Sequence, residues 1–164
     1  MKIALFGCKG VGKTTVGKKL AETLNLPHVD TDQFIVKQHG EKISIQEIFQ
    51  NVGEKAFRNL EYSVIQEIIP LNDCVVSLGG GAPIDPHTRT LLNHFHLIHL
   101  TASPDYLWER VRSTQTSYLD KPLNQASFIS IYEKRIPLYR SLAQEEINIE
   151  GKSPHEIASE VAML

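Results

Sequence analysis

Residues 7–14 read Gly7-Cys8-Lys9-Gly10-Val11-Gly12-Lys13-Thr14, a complete G-x-x-x-x-G-K-[ST] pattern. Its glycines let the backbone curl until successive N–H groups point inward. A helix starting there adds its own unpaired N–H groups and its positive dipole end. Such a loop holds a nucleoside triphosphate. Gly10, Val11, Gly12, Lys13, Thr14 and Thr15 would surround its phosphates, Lys13 would reach the β- and γ-phosphates, and the Thr14 hydroxyl would hold Mg²⁺. Three further groups extend this chemistry. Asp30 and Asp32 are two residues apart, and on an extended segment their carboxylates point the same way. One could support Mg²⁺ through a water and the other could accept a proton from a substrate hydroxyl; the competing use is Asp32 as the cap of a helix over 33–38. Gly79-Gly80-Gly81 permits close backbone approach to a ligand, or else makes a tight turn before Pro83. Arg58 and Arg135 would each pass for the solvated face of a helix. Taken together beside a phosphate loop, two guanidinium forks suit the carboxylate of an acceptor.

The elements that must position these residues can be read from pattern. Short apolar runs at Lys2–Phe6, 27–29, 74–78, 95–100 and 147–149 read as strands, and helical stretches separate them. This alternation argues for an α/β fold, a parallel sheet covered by helices on both faces, with ligands at the carboxyl ends of its strands. The loop at 7–14 lies between the first strand and a helix over 13–25, in which Val16, Leu20 and Leu24 share a face. Ser44-x-x-Glu47 is a capping box, Asp85-Pro86 and Ser103-Pro104 set a cap before a proline, and Ser153-Pro154-His155-Glu156 does both. No linker or repeat divides the chain, so a single domain over 1–164 is expected. Residues 113–124 are polar and aperiodic. A stretch of that length between two helices suits a lid that keeps water from the γ-phosphate. Trp108 is expected to pack its helix near that lid.

Composition narrows the function classes. Seventeen basic and 19 acidic residues give a net charge of −2, which leaves no broad footprint for nucleic acid or an anionic membrane. Two cysteines form no disulfide framework, and Lys2 is followed by only four apolar residues before Gly7, too few for a secretion signal, so a cytoplasmic location is expected. Cys8, at a helix N-terminus, could carry thiolate character or be a small loop residue whose backbone matters. His94 and His96 share a face, but no cysteine or carboxylate is spaced to complete a zinc site, and ordinary strand contacts are expected of them and of His99.

The chain resembles the shikimate kinase family over nearly its whole length. The pieces that carry the resemblance run in family order: the loop 7–14, Asp30-x-Asp32, Gly53-Glu54-x-x-Phe57-Arg58-x-x-Glu61, Gly79-Gly80-Gly81, Lys121-Pro122-Leu123, Arg135-x-x-x-Tyr139 and Ser153-Pro154. The resemblance implies a phosphate-loop three-layer α/β/α sandwich with strand order 2-3-1-4-5. It implies ATP-dependent phosphorylation of the 3-hydroxyl of shikimate on the way to aromatic amino acids, with Mg²⁺ as cofactor, two small-molecule partners and a monomeric protein. By it Asp32, Arg58, Gly79, Gly80, Gly81 and Arg135 bind shikimate, with Arg58 and Arg135 gripping the carboxylate. Asp32 holds hydroxyls and could act as base. Lys13, Asp32 and Lys121 form the catalytic set, Thr14 and, through water, Asp30 serve the metal, Arg110 and Pro154 flank adenine, and Glu61 holds Arg58 in place. One departure stands out. Lys121 replaces the arginine usual in the family's lid, keeping the charge and losing the bidentate fork. The rival readings are another small-molecule or nucleotide kinase of this architecture, and a nucleotide-binding module without catalysis.

Overall fold

In the computed structural model, which describes residues 1–113 and 124–164, five short segments pair into one sheet. Its strands are β1 (Lys2–Phe6), β2 (His28–Asp30), β3 (Cys74–Ser77), β4 (His96–Thr101) and β5 (Glu145–Asn148). They run parallel in the order β2-β3-β1-β4-β5, the order that the family resemblance implies. Successive residues of a strand face opposite sides. Ile3, Ala4, Leu5 and Phe6 are all buried, so helices cover both faces of the sheet. In register, Ala4 faces Val76 on one side and Leu97 on the other, and Phe6 faces His99.

Strand limits differ from the sequence reading by a residue or two, and the ladder explains most of it. Leu78 and Ile149 lie just past β3 and β5, yet their N–H groups donate to the carbonyls of Leu5 and Thr101, each at 2.9 Å. Pro27 precedes β2, and its carbonyl accepts from Val75 N–H at 2.9 Å. On the edge strand β5, Glu145, Glu146 and Asn148 are exposed and only Ile147 is buried, so apolar residues mark one position of four.

The helices are α1 (Lys13–Leu24), α2 (Thr31–Gln38), α3 (Ile45–Val52), α4 (Glu54–Ile68), the single turn α5 (Pro86–Arg89), α6 (Pro104–Val111), α7 (Gln125–Leu142) and α8 (Pro154–Ala162). Their starts follow local chemistry. Ser44 and Ser153 form reciprocal capping boxes with Glu47 and Glu156. Asp85 and Ser103 cap the helices whose first residue is proline. Each such cap stabilises its helix by roughly 1 kcal/mol. Asn25 closes α1 in a left-handed conformation, φ 53°, its N–H reaching the carbonyls of Ala21 and Glu22. Trp108 of α6 lies 5.8 Å from the ring of Phe128 on α7 and so joins the two helices.

The start of α2 corrects one expectation. Asp30 and Asp32 do not share an extended segment. Asp30 ends β2 and is itself the cap, accepting from Gln33 N–H at 3.1 Å, while Asp32 is the second residue of the helix. The strand runs one residue further than its apolar run, because Val75 to Ser77 of β3 carry the pairing on to Asp30. The helix begins at Thr31, two residues before the expected 33, and the two carboxylates serve different places.

Candidate active site

The phosphate loop joins β1 to α1 at the carboxyl edge of the sheet. Gly12 caps α1 with φ 93°, a conformation that glycine adopts without strain. The Lys13 ammonium turns back over the loop and donates to the carbonyls of Gly7 at 3.0 Å and Cys8 at 3.3 Å. Burial depresses its pKa, against the opposing pull of Asp32, Cys8 and Asp30. Those carbonyls hold the ammonium where phosphate oxygens would replace them. Cys8 is buried, and burial pushes its thiol pKa up despite Lys13 and Arg135, so it carries no thiolate character.

Beside the loop, Thr14 Oγ1 donates to Asp30 Oδ2 at 2.5 Å. Asp30 thus caps α2 with one oxygen and holds the Thr14 hydroxyl with the other. Two hard oxygen donors converging at the phosphate end suit Mg²⁺, which takes one or two protein oxygens and fills the rest of its shell with water and phosphate. Among the described residues, no group of three or more His, Cys, Asp or Glu side chains is placed to hold a metal unaided. His99, buried in β4, bonds Glu146 through Nδ1 at 2.9 Å.

Across the cavity the triple glycine makes room for side chains. A Cβ on Gly79 would stand 2.6 Å from Asp32 Oδ1 and 3.0 Å from Glu61 Oε1, and one on Gly81 would overlap the Arg58 guanidinium. Arg58 Nη1 donates to Glu61 Oε2 at 2.5 Å, and its Nη2 lies 3.8 Å from Glu54. The Tyr139 hydroxyl donates to the Gly80 carbonyl, and Arg135 reaches the same oxygen at 3.5 Å. Arg135 and Tyr139, four apart on one face of α7, therefore pin the glycine turn. Burial raises the Asp32 carboxyl to about 6, with Asp30 adding to the rise and Lys13 and Arg58 opposing it. Burial likewise raises Glu61 to about 7 against the pull of Arg58.

These groups share one cavity of about 510 Å³, whose lining includes Gly10, Gly12, Lys13, Thr14, Thr15, Asp32, Arg58, Gly80, Gly81, Arg110 and Arg135. Residues expected at the site are thus brought together from β1–α1, α2, α4, the turn after β3, α6 and α7. Arg110 extends along the loop, with Nη2 3.7 Å from where a Gly12 Cβ would be. Val11 and Gly79 are buried behind the lining, and Asp30 stands under Thr14. Pro154 opens α8 and is not part of the lining. Lys121 and most of the 113–124 stretch lie outside the described residues. Sequence reasoning missed the apolar walls: Phe49, Phe128, Ile131 and Tyr132 line the cavity beside Phe57, whose ring meets that of Phe49 edge-on at 5.1 Å. Their helical spacing marks burial and does not separate cavity wall from core.

A parallel α/β sheet with a phosphate loop, and an acceptor pocket that joins a carboxylate to two arginines, defines a phosphate-loop kinase of small molecules. A model of the family described as shikimate kinase matches residues 9–163, and the chain belongs to that family. It is 39% identical to a shikimate kinase of Caldicellulosiruptor saccharolyticus, over 96% of this chain and 91% of that one. It is 35% identical to one of Enterococcus faecalis, over 97% and 95%. Among solved structures, shikimate kinase from Acinetobacter baumannii in complex with shikimate superposes with a TM-score of 0.89, at 29% identity, over 98% of this chain and 89% of that one.

Proposed function

We propose that the chain transfers the γ-phosphoryl group of ATP to the 3-hydroxyl of shikimate, giving shikimate 3-phosphate and ADP. One observation carries the reading. The Asp32 carboxylate shares a cavity with Lys13 of the phosphate loop and with Arg58 and Arg135, and both Lys13 and Arg58 act on its titration. The loop N–H groups and Lys13 hold the triphosphate. Arg58 and Arg135 hold the acceptor carboxylate, and Gly80 and Gly81 let its ring approach the backbone. The 3-hydroxyl oxygen then bonds the γ-phosphorus as the bond to the β–γ bridging oxygen breaks, and the hydroxyl proton passes to Asp32. A carboxyl near 6 is ionised at neutral pH and close enough to it to serve as base. Positioning and charge stabilisation supply most of the acceleration in such transfers. Thr14 and, through water, Asp30 would hold Mg²⁺, which when bound neutralises charge between the β- and γ-phosphates.

Among the described residues, no helix is long and apolar enough to cross a membrane. Cys8 and Cys74 are free and buried. A monomeric, cytoplasmic enzyme of one domain, closed by a lid at 113–124 that carries Lys121, is part of the proposal. The test is ADP release by the purified chain with ATP and shikimate, with Mg²⁺ and with a chelator. Shikimate-dependent turnover that the chelator abolishes is the expected result. Turnover with gluconate or a nucleoside monophosphate and not with shikimate would overturn the reading.

A further inference from the structure

Glu61 has only 1% of its surface exposed, and its two oxygens do different things. Oε2 accepts from Arg58 at 2.5 Å. Oε1 faces the gap that Gly79 leaves, and Asp32 Oδ1 faces the same gap from α2. Among the described residues, these charged groups stand around Glu61, and Asp85 acts on Arg58 from the cap of α5. Arg58 and Glu54 stand on α4, Asp32 on α2 and Arg135 on α7, with Lys13 of α1 beyond Asp32. The Arg58 guanidinium is thus already shared between two glutamates. A substrate carboxylate on that fork brings another anion into the cavity that Asp32 and Glu61 already line, and neighbouring carboxylates oppose one another's charge. Glu54 is 71% exposed and is free to turn into water. Asp32 is drawn toward its charged form by both Lys13 and Arg58, and it sits lower, at about 6. Glu61 is buried against the one guanidinium that a substrate carboxylate would have to share.

We propose that Glu61 is a specificity-determining residue of the acceptor site: it takes up a proton when a carboxylate seats on Arg58, so that the site fits an acceptor with one negative charge. The proposal rests on the assignment of Arg58 as the carboxylate anchor. The proton comes from solvent and goes to Oε1. Oε2 still accepts from Arg58, while Oε1, on the gap that Asp32 Oδ1 also faces, no longer sets a negative charge against the base. An uncharged acceptor leaves Glu61 ionised, keeps Arg58 tied to it and binds poorly. Burial has already brought Glu61 to about 7, so a small added repulsion tips it at neutral pH. The direction follows from linkage: a group that holds more proton in the complex makes affinity fall as pH rises above its free value.

The test is calorimetric titration of the whole chain with shikimate at pH 8, in phosphate and in Tris, whose ionisation heats differ. Wild type should take up roughly 0.5–1 proton per shikimate, with affinity falling up to about tenfold per pH unit between pH 7 and 9. Glu61→Gln keeps an acceptor for Arg58. It should take up no proton and hold a flat affinity over that range. In the wild type, which needs no refolding control, the neutral methyl ester of shikimate should bind without proton uptake. Equal heats in the two buffers for wild type overturn the proposal. So does uptake that persists in Glu61→Gln, which would move the linkage to another group of the cavity such as Asp32 or Lys13, and so does an ester that takes up as many protons as the acid. The ADP-release assay separates these outcomes from a failure of the functional reading: a chain that turns over shikimate without proton linkage is still a shikimate kinase and refutes the role given to Glu61.

Discussion

Gly79→Ala should disarm the base while leaving the nucleotide site alone. Gly79 has a negative φ, so alanine fits the backbone. The obstacle is space, because the new methyl would stand 2.6 Å from Asp32 Oδ1 and 3.0 Å from Glu61 Oε1. Ordinary contact needs roughly 3.4 Å or more, so Asp32 must withdraw by about an ångström. A displacement of that size at a reacting group costs on the order of a hundredfold in rate. Overpacking should cost about 1–3 kcal/mol of stability, which a domain of ordinary stability survives. The Gly79 N–H bond to Thr31 Oγ1, 2.9 Å, involves neither carboxylate and should persist. Steady-state ADP release, ATP binding by titration and a thermal melt would together check this. The expected result is kcat down about hundredfold, ATP affinity within twofold and a cooperative melt. A kcat within threefold of wild type would mean that Asp32 need not stand over Gly79. An equal loss of ATP affinity would mean that the turn supports the phosphate loop.

Lys13→Ala should cut turnover by roughly a thousandfold or more without unfolding the chain, since among the described residues its ammonium bonds loop carbonyls, those of Gly7 and Cys8; near-normal turnover of the folded variant would remove Lys13 from the mechanism. Asp32→Asn should lower kcat by about 10²–10⁴-fold and yet raise the melting temperature at pH 8. A carboxyl raised to about 6 in the fold costs stability above that pH, and the cost disappears as pH falls toward its unfolded value near 4. The gain of the variant over wild type should therefore be full above pH 6 and vanish by about pH 4, and a gain independent of pH would refute the assigned cause. For the wild type, kcat/KM for shikimate should fall as pH drops through about 6, read from a pH–rate profile. Arg58→Ala and Arg135→Ala should each weaken shikimate binding by roughly 1.5–3 kcal/mol with ATP binding little changed; variants that still favour the acid over its amide as strongly as wild type would defeat the carboxylate clamp.

Most of the fold is local information, and it was legible. The capping boxes at Ser44 and Ser153 and the cap-proline pairs need only neighbours a few residues away, and each forms as its pattern predicts. β1 and β3 are buried on both faces and so write themselves as apolar runs. β5 is wet on one side, and its pattern shrinks to Ile147. The error at Asp30 has the same origin. Whether β2 ends at Val29 or Asp30 is decided by pairing with β3, which lies more than forty residues away in the chain, and the cap falls on Asp30, two residues before Asp32.

The site was legible where its chemistry lies in one segment and opaque where it lies between segments. The phosphate loop announces itself because eight consecutive residues must act on one ligand. The glycine triplet was read as backbone that approaches a ligand. In the structure two of its missing side chains are room for Asp32, Glu61 and Arg58, which come from other helices. No spacing within 79–81 encodes that, and the resemblance to a family supplied the link between Glu61 and Arg58. Together these residues account for why the acceptor pocket is built as it is. Two buried carboxyls, raised to about 6 and about 7, are an unfavourable thing to place inside a fold. Gly79 leaves room for both, Arg58 opposes the rise at each, and Lys13 opposes it at Asp32. The same burial that weakens the empty protein at high pH brings the Asp32 carboxyl near neutrality, as the proposed base requires. A substitution that relieves that cost, at Asp32 or Glu61, should trade activity or acceptor selectivity for stability.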